Sequence, residues 1–123
     1  MKYKATITGF GKDALGFLED EDSSFLIIFE ESAPEELAEI SVLHTQTGLL
    51  SNPVPGDVLV ICGKVFTITA IGSEALKTIR ELGHCTFGFT GGDVPERPGY
   101  IMLEGELPLK PEDILVGATI EIY

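Results

Sequence analysis

Short strand-like runs make up most of the chain. Residues 3–9 alternate between apolar and polar side chains, as a strand with one buried face does. The run 25–29 is apolar at every position, which predicts a strand covered on both faces or lying at the seam of a closed sheet. Further runs of strand-forming residues predict strands at 40–45, 58–62, 65–71, 85–89, 100–105 and 118–123.

Helical patterns are shorter and fewer. Ser73 is a good N-cap residue, apolar residues between 75 and 82 follow at helical spacing, and Gly83 can end the helix. An N-cap residue, an early proline and two glutamates predict a second short helix that starts within 32–37. Residues 14–18 have the spacing of a single helical turn, which two flanking glycines weaken.

The length and the turn content favour one mostly β domain. A chain of 123 residues with 14 glycines and 7 prolines can form one core with frequent tight turns. A barrel or a sandwich fits this pattern. The densest strand-patterned apolar positions predict a core that contains Phe25, Ile27, Phe29, Val58, Val60, Phe66, Ile68, Phe87 and Phe89.

The charge of the chain disfavours two classes of partner. Twenty acidic residues against 8 basic ones give a net charge of −12. Such a charge repels nucleic acid and anionic membrane surfaces, and it favours a positively charged protein partner. The longest apolar runs are too short to insert into a bilayer and the first residues contain no signal-peptide core, so we expect a soluble, cytoplasmic protein.

The two cysteines predict neither a redox motif nor a metal site. Cys62 and Cys85 form no CxxC pair and lie in apolar runs, which indicates reduced, buried thiols, although the sequence leaves a disulfide open. A zinc site would need both cysteines and both histidines. Neighbours on a strand point to opposite faces, so His84 and Cys85 are poorly placed to bind one ion. We expect no metal, and the absence of a phosphate-cradling glycine motif argues against a nucleotide cofactor.

His44 is the main candidate for chemistry. It ends a predicted strand and precedes a hydroxyl-rich segment, Thr45 to Gly48, which predicts a turn. A mostly neutral imidazole keeps one lone pair free to act as a nucleophile, a base or a ligand. The alternative is a histidine that only packs at the strand end. Strand alternation puts His44 on the same face as Val42, and we expect it to lie at the edge of the core without being buried.

Several short motifs resemble one known family. They are a histidine after a strand near residue 44, Ala70-Ile71-Gly72-Ser73, the helix ending Arg80-Glu81-Leu82-Gly83-His84, Pro98-Gly99, and Gly117 before the last strand. Together they resemble the glucitol/sorbitol-specific enzyme IIA component of the bacterial sugar phosphotransferase system, over essentially the whole chain. Some members carry another histidine two residues after the active one, whereas this chain has Gln46.

The resemblance implies a fold and a function. The fold would be a single domain over residues 1–123, a closed β-barrel of about six or more strands with one or two short helices. His44 would accept a phosphoryl group from the histidine phosphocarrier protein and pass it to a cysteine of the IIB part of a IIB/IIC transporter for glucitol or sorbitol. No cofactor is implied, and the sequence leaves open whether the protein forms a homodimer.

The same resemblance suggests roles for residues around His44. His84 closes the Leu-Gly-His motif and is a candidate auxiliary residue that faces solvent or a cleft, because its strand neighbours Cys85 and Phe87 form an apolar face. Thr45, Thr47 and the Gly48 amide are candidates for holding the phosphoryl oxygens. Carboxylates are expected to ring an apolar patch near His44 and to steer a basic carrier toward it.

Two other classes of function remain alternatives. One is a small ligand-binding β-barrel without phosphotransfer. The other is an enzyme that uses Cys62 or Cys85 with a histidine, which would require a cysteine of depressed pKa. The apolar sequence around both cysteines argues against that second alternative.

Overall fold

Eight strands close into one barrel in the computed structural model, which describes residues 1–123. Around the barrel the strands follow the order β1-β3-β2-β6-β7-β5-β4-β8, with parallel pairing only between β2 and β3 and between β6 and β7. This confirms the predicted closed, mostly β barrel. In chain order the strands are β1 (Tyr3–Phe10), β2 (Phe25–Glu30), β3 (Val42–His44), β4 (Val58–Ile61), β5 (Lys64–Ile71), β6 (Cys85–Gly88), β7 (Tyr100–Glu104) and β8 (Thr119–Ile122).

Two short α-helices complete the fold, together with 3₁₀ turns at Gly16–Leu18 and Pro111–Asp113. Helix α1 spans Glu35–Ala38 and buries none of its residues, whereas α2 spans Ala75–Leu82. The prediction that Ser73 caps α2 is wrong. The helix begins after Glu74, whose amide donates to the Pro98 carbonyl, and no side chain caps it.

Helix α2 closes the end of the barrel where His44 lies. It joins the end of β5 to the start of β6, and its Ala75 and Ile79 belong to the same buried cluster as the barrel interior. Strand β6 runs antiparallel to β2, and β1 runs antiparallel to β3. The ends of β2 and β3 and the starts of β1 and β6 therefore meet at this end of the barrel.

The core is only partly the predicted one. Phe29, Phe66, Ile68 and Phe87 are buried as predicted, but Phe25, Ile27, Val58, Val60 and Phe89 are only half-buried. In β2 the barrel interior takes Leu26 and Ile28, and in β4 it takes Leu59 and Ile61. A strand that is apolar at every position has no alternation from which its inward face can be read.

The hairpin of β4 and β5 turns at Cys62-Gly63, so β4 ends one residue before the predicted strand 58–62 and β5 begins one residue before the predicted strand 65–71. Both residues have positive φ, 51° and 80°, as a two-residue turn of type I′ requires. Both cysteines are free, with Cys85 buried and Cys62 half-buried. Neither α1 nor α2 is long and apolar enough to cross a membrane.

Candidate active site

His44 is fully buried, so the expectation that it would lie at the edge of the core without being buried is wrong. It is the last residue of β3, and none of its surface is exposed. Its Nδ1 lies 2.8 Å from the carbonyl oxygen of Thr45, and its Nε2 lies 2.7 Å from the carbonyl oxygen of Gly83. Both ring nitrogens are thus held by backbone carbonyls.

The two carbonyls outnumber the donors of a neutral ring. A neutral imidazole carries one N–H, and a carbonyl oxygen can only accept. The neutral ring can therefore satisfy one of the two contacts at His44, while a doubly protonated ring satisfies both. The lone pair that a nucleophile needs becomes available only after one carbonyl moves away from its nitrogen.

Gly83 covers the ring of His44 in a position that only glycine fits. It ends α2 with φ 63°, in the left-handed region. A Cβ atom at this position would lie 2.9 Å from His44 Cε1 and 3.1 Å from the Cβ of Glu30. Of the three residues of the Leu-Gly-His motif, it is therefore the glycine that contacts His44. The sequence indicated only that Gly83 stops a helix.

His84 packs against β2 instead of facing His44. Its ring stacks on Phe29, with ring centroids 4.7 Å apart and an interplanar angle of 29°, and its Nδ1 lies 3.1 Å from the Ile28 carbonyl oxygen. No hydrogen bond or ring contact joins it to His44. Its Nε2 has no hydrogen-bond partner within the chain.

The segment after His44 does not form the predicted turn. Thr45 and Leu50 donate their amides to the carbonyls of Thr6 and Lys2, so this segment runs back along β1. The Thr45 hydroxyl accepts the amide hydrogen of Thr6 at 3.1 Å, which leaves its own hydrogen free to donate. The hydroxyl of Thr47 makes no hydrogen bond, and Gly48 is exposed.

Tyr3 is a buried neighbour of His44 that the sequence did not single out. Its ring stands edge-on to the imidazole, with centroids 6.4 Å apart and an interplanar angle of 81°. Only 1% of the residue is exposed, and its hydroxyl has no hydrogen-bond partner. Burial raises the pKa of its phenol well above the usual range, with smaller contributions from Cys85 and Glu30.

The structure does not support a cysteine enzyme or a metal site. Burial raises the pKa of the Cys85 thiol, and burial is also the main cause of a raised pKa at Cys62, so neither is a thiolate of the kind a cysteine enzyme needs. No group of three or more His, Cys, Asp or Glu side chains could hold a metal ion. The three clefts of the molecule lie elsewhere, beside Phe66, beside Phe89 and beside Phe10.

Comparisons with known proteins identify the family of this chain. The sequence profile of the PTS system glucitol/sorbitol-specific IIA component, where PTS denotes the phosphotransferase system, matches residues 2–121. Two proteins of that description, from Escherichia coli K12 and Shigella flexneri, are each 34% identical over 119 residues, which cover 97% of this chain and 92% of theirs.

A solved structure agrees with this assignment. The crystal structure of a PTS system IIA component from Enterococcus faecalis V583 superimposes with a TM-score of 0.75 at 27% identity. The match covers 97% of this chain and 98% of that one. The family suggested by the sequence motifs is thereby confirmed: the chain belongs to the glucitol/sorbitol-specific IIA components of the phosphotransferase system.

Proposed function

We propose that this protein relays a phosphoryl group through His44. The histidine phosphocarrier protein would donate the group, and a cysteine of the IIB component would receive it. The observation that carries the proposal is the pair of contacts at His44, whose two ring nitrogens are held by carbonyls of two separate chain segments. One contact can orient the ring while the other is released.

The proposal assigns the phosphoryl group to Nε2. The carbonyl that holds Nδ1 belongs to Thr45, the next residue, and it moves with the ring. The carbonyl that holds Nε2 belongs to Gly83, 39 residues away in the turn that ends α2. The Gly83 turn can therefore withdraw without disturbing Nδ1. An N–H at Nδ1 that donates to Thr45 fixes the tautomer whose lone pair is on Nε2.

Access to Nε2 requires a local opening of the chain. The turn at Gly83 is held by two backbone hydrogen bonds at the end of α2, from Gly83 to Ile79 at 2.9 Å and from His84 to Thr78 at 3.2 Å. Local openings of a chain can cost much less than global unfolding, and loop or lid motions gate catalysis in many enzymes. In our proposal the docked carrier stabilises the open turn, so that His44 is uncovered only when a donor is present.

The chemistry needs no group beyond the two partners. The Nε2 lone pair attacks phosphorus, an N–P bond forms at His44, and the N–P bond to the carrier's imidazole breaks. In the second step a thiolate of the IIB component attacks the same phosphorus, and the N–P bond at His44 breaks with its electron pair returning to Nε2. Both steps are in-line displacements, for which positioning of the reactants is the main contribution of the protein.

Acidic residues next to His44 suit a basic carrier. Glu30 pairs with His44 across β2 and β3, Glu31 donates its amide to the His44 carbonyl, and Glu81 precedes the Leu-Gly-His turn by one residue. Glu31 and Glu81 are exposed, as is the apolar side chain of Leu82. With a net charge of −12, this surface would attract a positively charged partner and offer it an apolar contact.

The family suggests which transporter receives the group and where the protein works. The relatives are named for glucitol and sorbitol, so we propose that the receiving IIB/IIC transporter carries one of these polyols. We also propose that this protein and its two partners work in the cytoplasm.

The test is phosphoenolpyruvate-driven labelling with enzyme I and the phosphocarrier. Intact-mass analysis should find one phosphoryl group on the wild-type protein and on His84→Gln, and none on His44→Gln. The group should be lost in brief acid and kept in base, because a protonated imidazole is a good leaving group whereas a hydroxyl ester survives acid. A label that remains after His44→Gln, or that resists acid, would falsify the proposal.

A further inference from the structure

Two buried hydroxyls in this protein have no hydrogen-bond partner, those of Tyr3 and Thr69. Burying a hydroxyl without a partner is costly, and nearly all buried polar groups in folded proteins are paired. A phenylalanine at position 3 would fill the same space without this cost. The hydroxyl of Tyr3 therefore calls for an explanation other than stability.

The position of Tyr3 suggests that explanation. Its side chain lies at the start of β1, at the barrel end that α2 closes, with its ring edge-on to His44. Glu30, whose charge would act on the phenol, and the buried thiol of Cys85 belong to the same barrel end, because Glu30 pairs with His44 and Cys85 begins β6. The ring that carries the unpaired hydroxyl thus lies next to the proposed phosphoryl acceptor.

The chemistry of the phenol fits one kind of partner. With its pKa raised by burial, the phenol keeps its proton throughout the working pH range and can donate a hydrogen bond. Within the resting chain no acceptor takes this hydrogen. A phosphoryl group on His44 would bring three anionic oxygens to this barrel end, and hydrogen bonds to such oxygens are short and strong in a buried setting.

We propose that Tyr3 is a further catalytic residue, whose hydroxyl donates a hydrogen bond to a phosphoryl oxygen when the group is attached to, or passing through, His44. This inference rests on the proposed function of His44. It gives the phosphohistidine a donor from within the barrel, on the side away from the docked partner. It also explains the unpaired hydroxyl, because the group that satisfies it is present only while phosphate is being relayed.

The test compares Tyr3→Phe with Thr69→Val, which removes the other unpaired hydroxyl. Thr69 lies on β5, which is not a neighbour of β3 in the barrel, so it serves as a matched control. Three quantities are measured for each variant: the melting temperature, the rate of phosphorylation by the phosphorylated carrier, and the half-life of phosphorylated His44. The apparent KM for the carrier is measured alongside the turnover rate.

The expected result separates the two variants. Both should melt at the wild-type temperature or above it, because each loses a buried hydroxyl that has no partner. Tyr3→Phe should lower the phosphorylation rate roughly tenfold to a hundredfold, as loss of a hydrogen bond to a charged group does, and should shorten the half-life of the phosphohistidine. Its KM should not change, since a buried residue does not contact the carrier. Thr69→Val should relay at the wild-type rate.

The contrary results are distinct. If the wild type is labelled on His44 and Tyr3→Phe is phosphorylated at the same rate, the role of Tyr3 is overturned and the relay is left intact. A Tyr3→Phe variant that is slow but melts well below the wild type would also overturn it, because the hydroxyl would then serve the fold. Absence of label on His44 in the wild type would overturn the relay itself.

Discussion

The two polar side chains that are fully buried lie at opposite ends of β3, and their hydrogen bonding differs. Ser41, just before the strand, donates its hydroxyl hydrogen to the Leu37 carbonyl at 2.7 Å, so one donor meets one acceptor. His44, at the other end, faces two carbonyls with a single N–H when neutral. The hydroxyl of Tyr3, whose ring stands edge-on to that of His44, has no partner.

The difference is what we expect between a structural end of the strand and the end that we propose to relay phosphate. Most buried donors and acceptors in folded proteins are paired, as at Ser41. At His44 there is one acceptor too many for the neutral ring, and the neighbouring ring of Tyr3 carries one unused donor. A phosphoryl group on Nε2 would remove both mismatches, because it would take the place of the Gly83 carbonyl and accept from Tyr3. The mismatch is therefore what we expect of a relay site between transfers.

The largest expected effect comes from truncating the buried polar side chain at each end of β3 to alanine. His44→Ala should abolish phosphorylation by the carrier, because no other group at the site can take its place. Ser41→Ala should keep the wild-type rate and lose only about 0.5–1.5 kcal/mol of unfolding free energy, the usual net value of one hydrogen bond. Transfer rates and denaturant titrations of both variants measure this. A large loss of transfer in Ser41→Ala would remove the distinction between the two ends.

The next effect concerns the cover over His44. Gly83→Ala should reduce transfer by tenfold or more, because the added Cβ displaces the imidazole from the position set by Thr45, and small misplacements of a reacting group are expensive. It should also destabilise the fold by roughly 1–3 kcal/mol through left-handed strain and contact with the ring.

Gly63→Ala is the matched control for that variant. Gly63 has φ 80° with open space around it, so its substitution introduces left-handed strain without touching the site. We expect a loss of stability of about 1 kcal/mol and an unchanged transfer rate. Equal transfer losses in the two glycine variants would mean that strain, and not the contact with His44, slows the relay.

The barrel was predictable where the sequence pattern was unambiguous. In β1 the alternation of Tyr3, Ala5 and Ile7 with polar residues identified the buried face correctly, because only one face could be apolar. In β2 every side chain from Phe25 to Phe29 is apolar, and Phe25 and Ile27 were wrongly assigned to the buried core. Phe25 instead stacks on Phe17 outside the barrel, with ring centroids 4.6 Å apart.

The candidate site was predictable only in part. His44 stood out because this chain has two histidines and its motifs resemble a known family. Its burial and its contact with Gly83 could not be predicted, because that contact joins residues 39 positions apart and depends on how α2 lies over the barrel end. Tyr3 fitted the apolar face of β1 so well that nothing in the pattern indicated an unpaired hydroxyl.

A smaller effect is expected at the second histidine. His84→Gln should bind the carrier normally and relay within about threefold of the wild-type rate, because its ring stacks on Phe29 and makes no contact with His44. Loss of this stacking should cost about 0.5–1.5 kcal/mol of stability. Carrier affinity, turnover and melting measured together test this. A drop in turnover of tenfold or more, with affinity retained, would restore His84 as an auxiliary residue of transfer.

The smallest expected effect is on the rate at which the carrier associates. It compares the loss of one carboxylate near His44 with the loss of one at the opposite end of the barrel. Glu81→Gln and Glu112→Gln each remove one exposed carboxylate, so the two variants have the same net charge. Glu81 lies next to the turn that covers His44. Glu112 lies in the 3₁₀ turn beside Lys64, which begins β5 at the opposite end of the barrel.

If the acidic surface near His44 steers a basic carrier, Glu81→Gln should lower the association rate severalfold at low salt and Glu112→Gln should change it little. The difference should shrink as salt rises, because at physiological ionic strength the Debye length is about 8 Å and the field of a single carboxylate no longer extends far into solution. Stopped-flow association rates across a salt series measure both effects. Equal rates for the two variants at every salt concentration would mean that the overall charge of −12, and not its arrangement around His44, attracts the carrier.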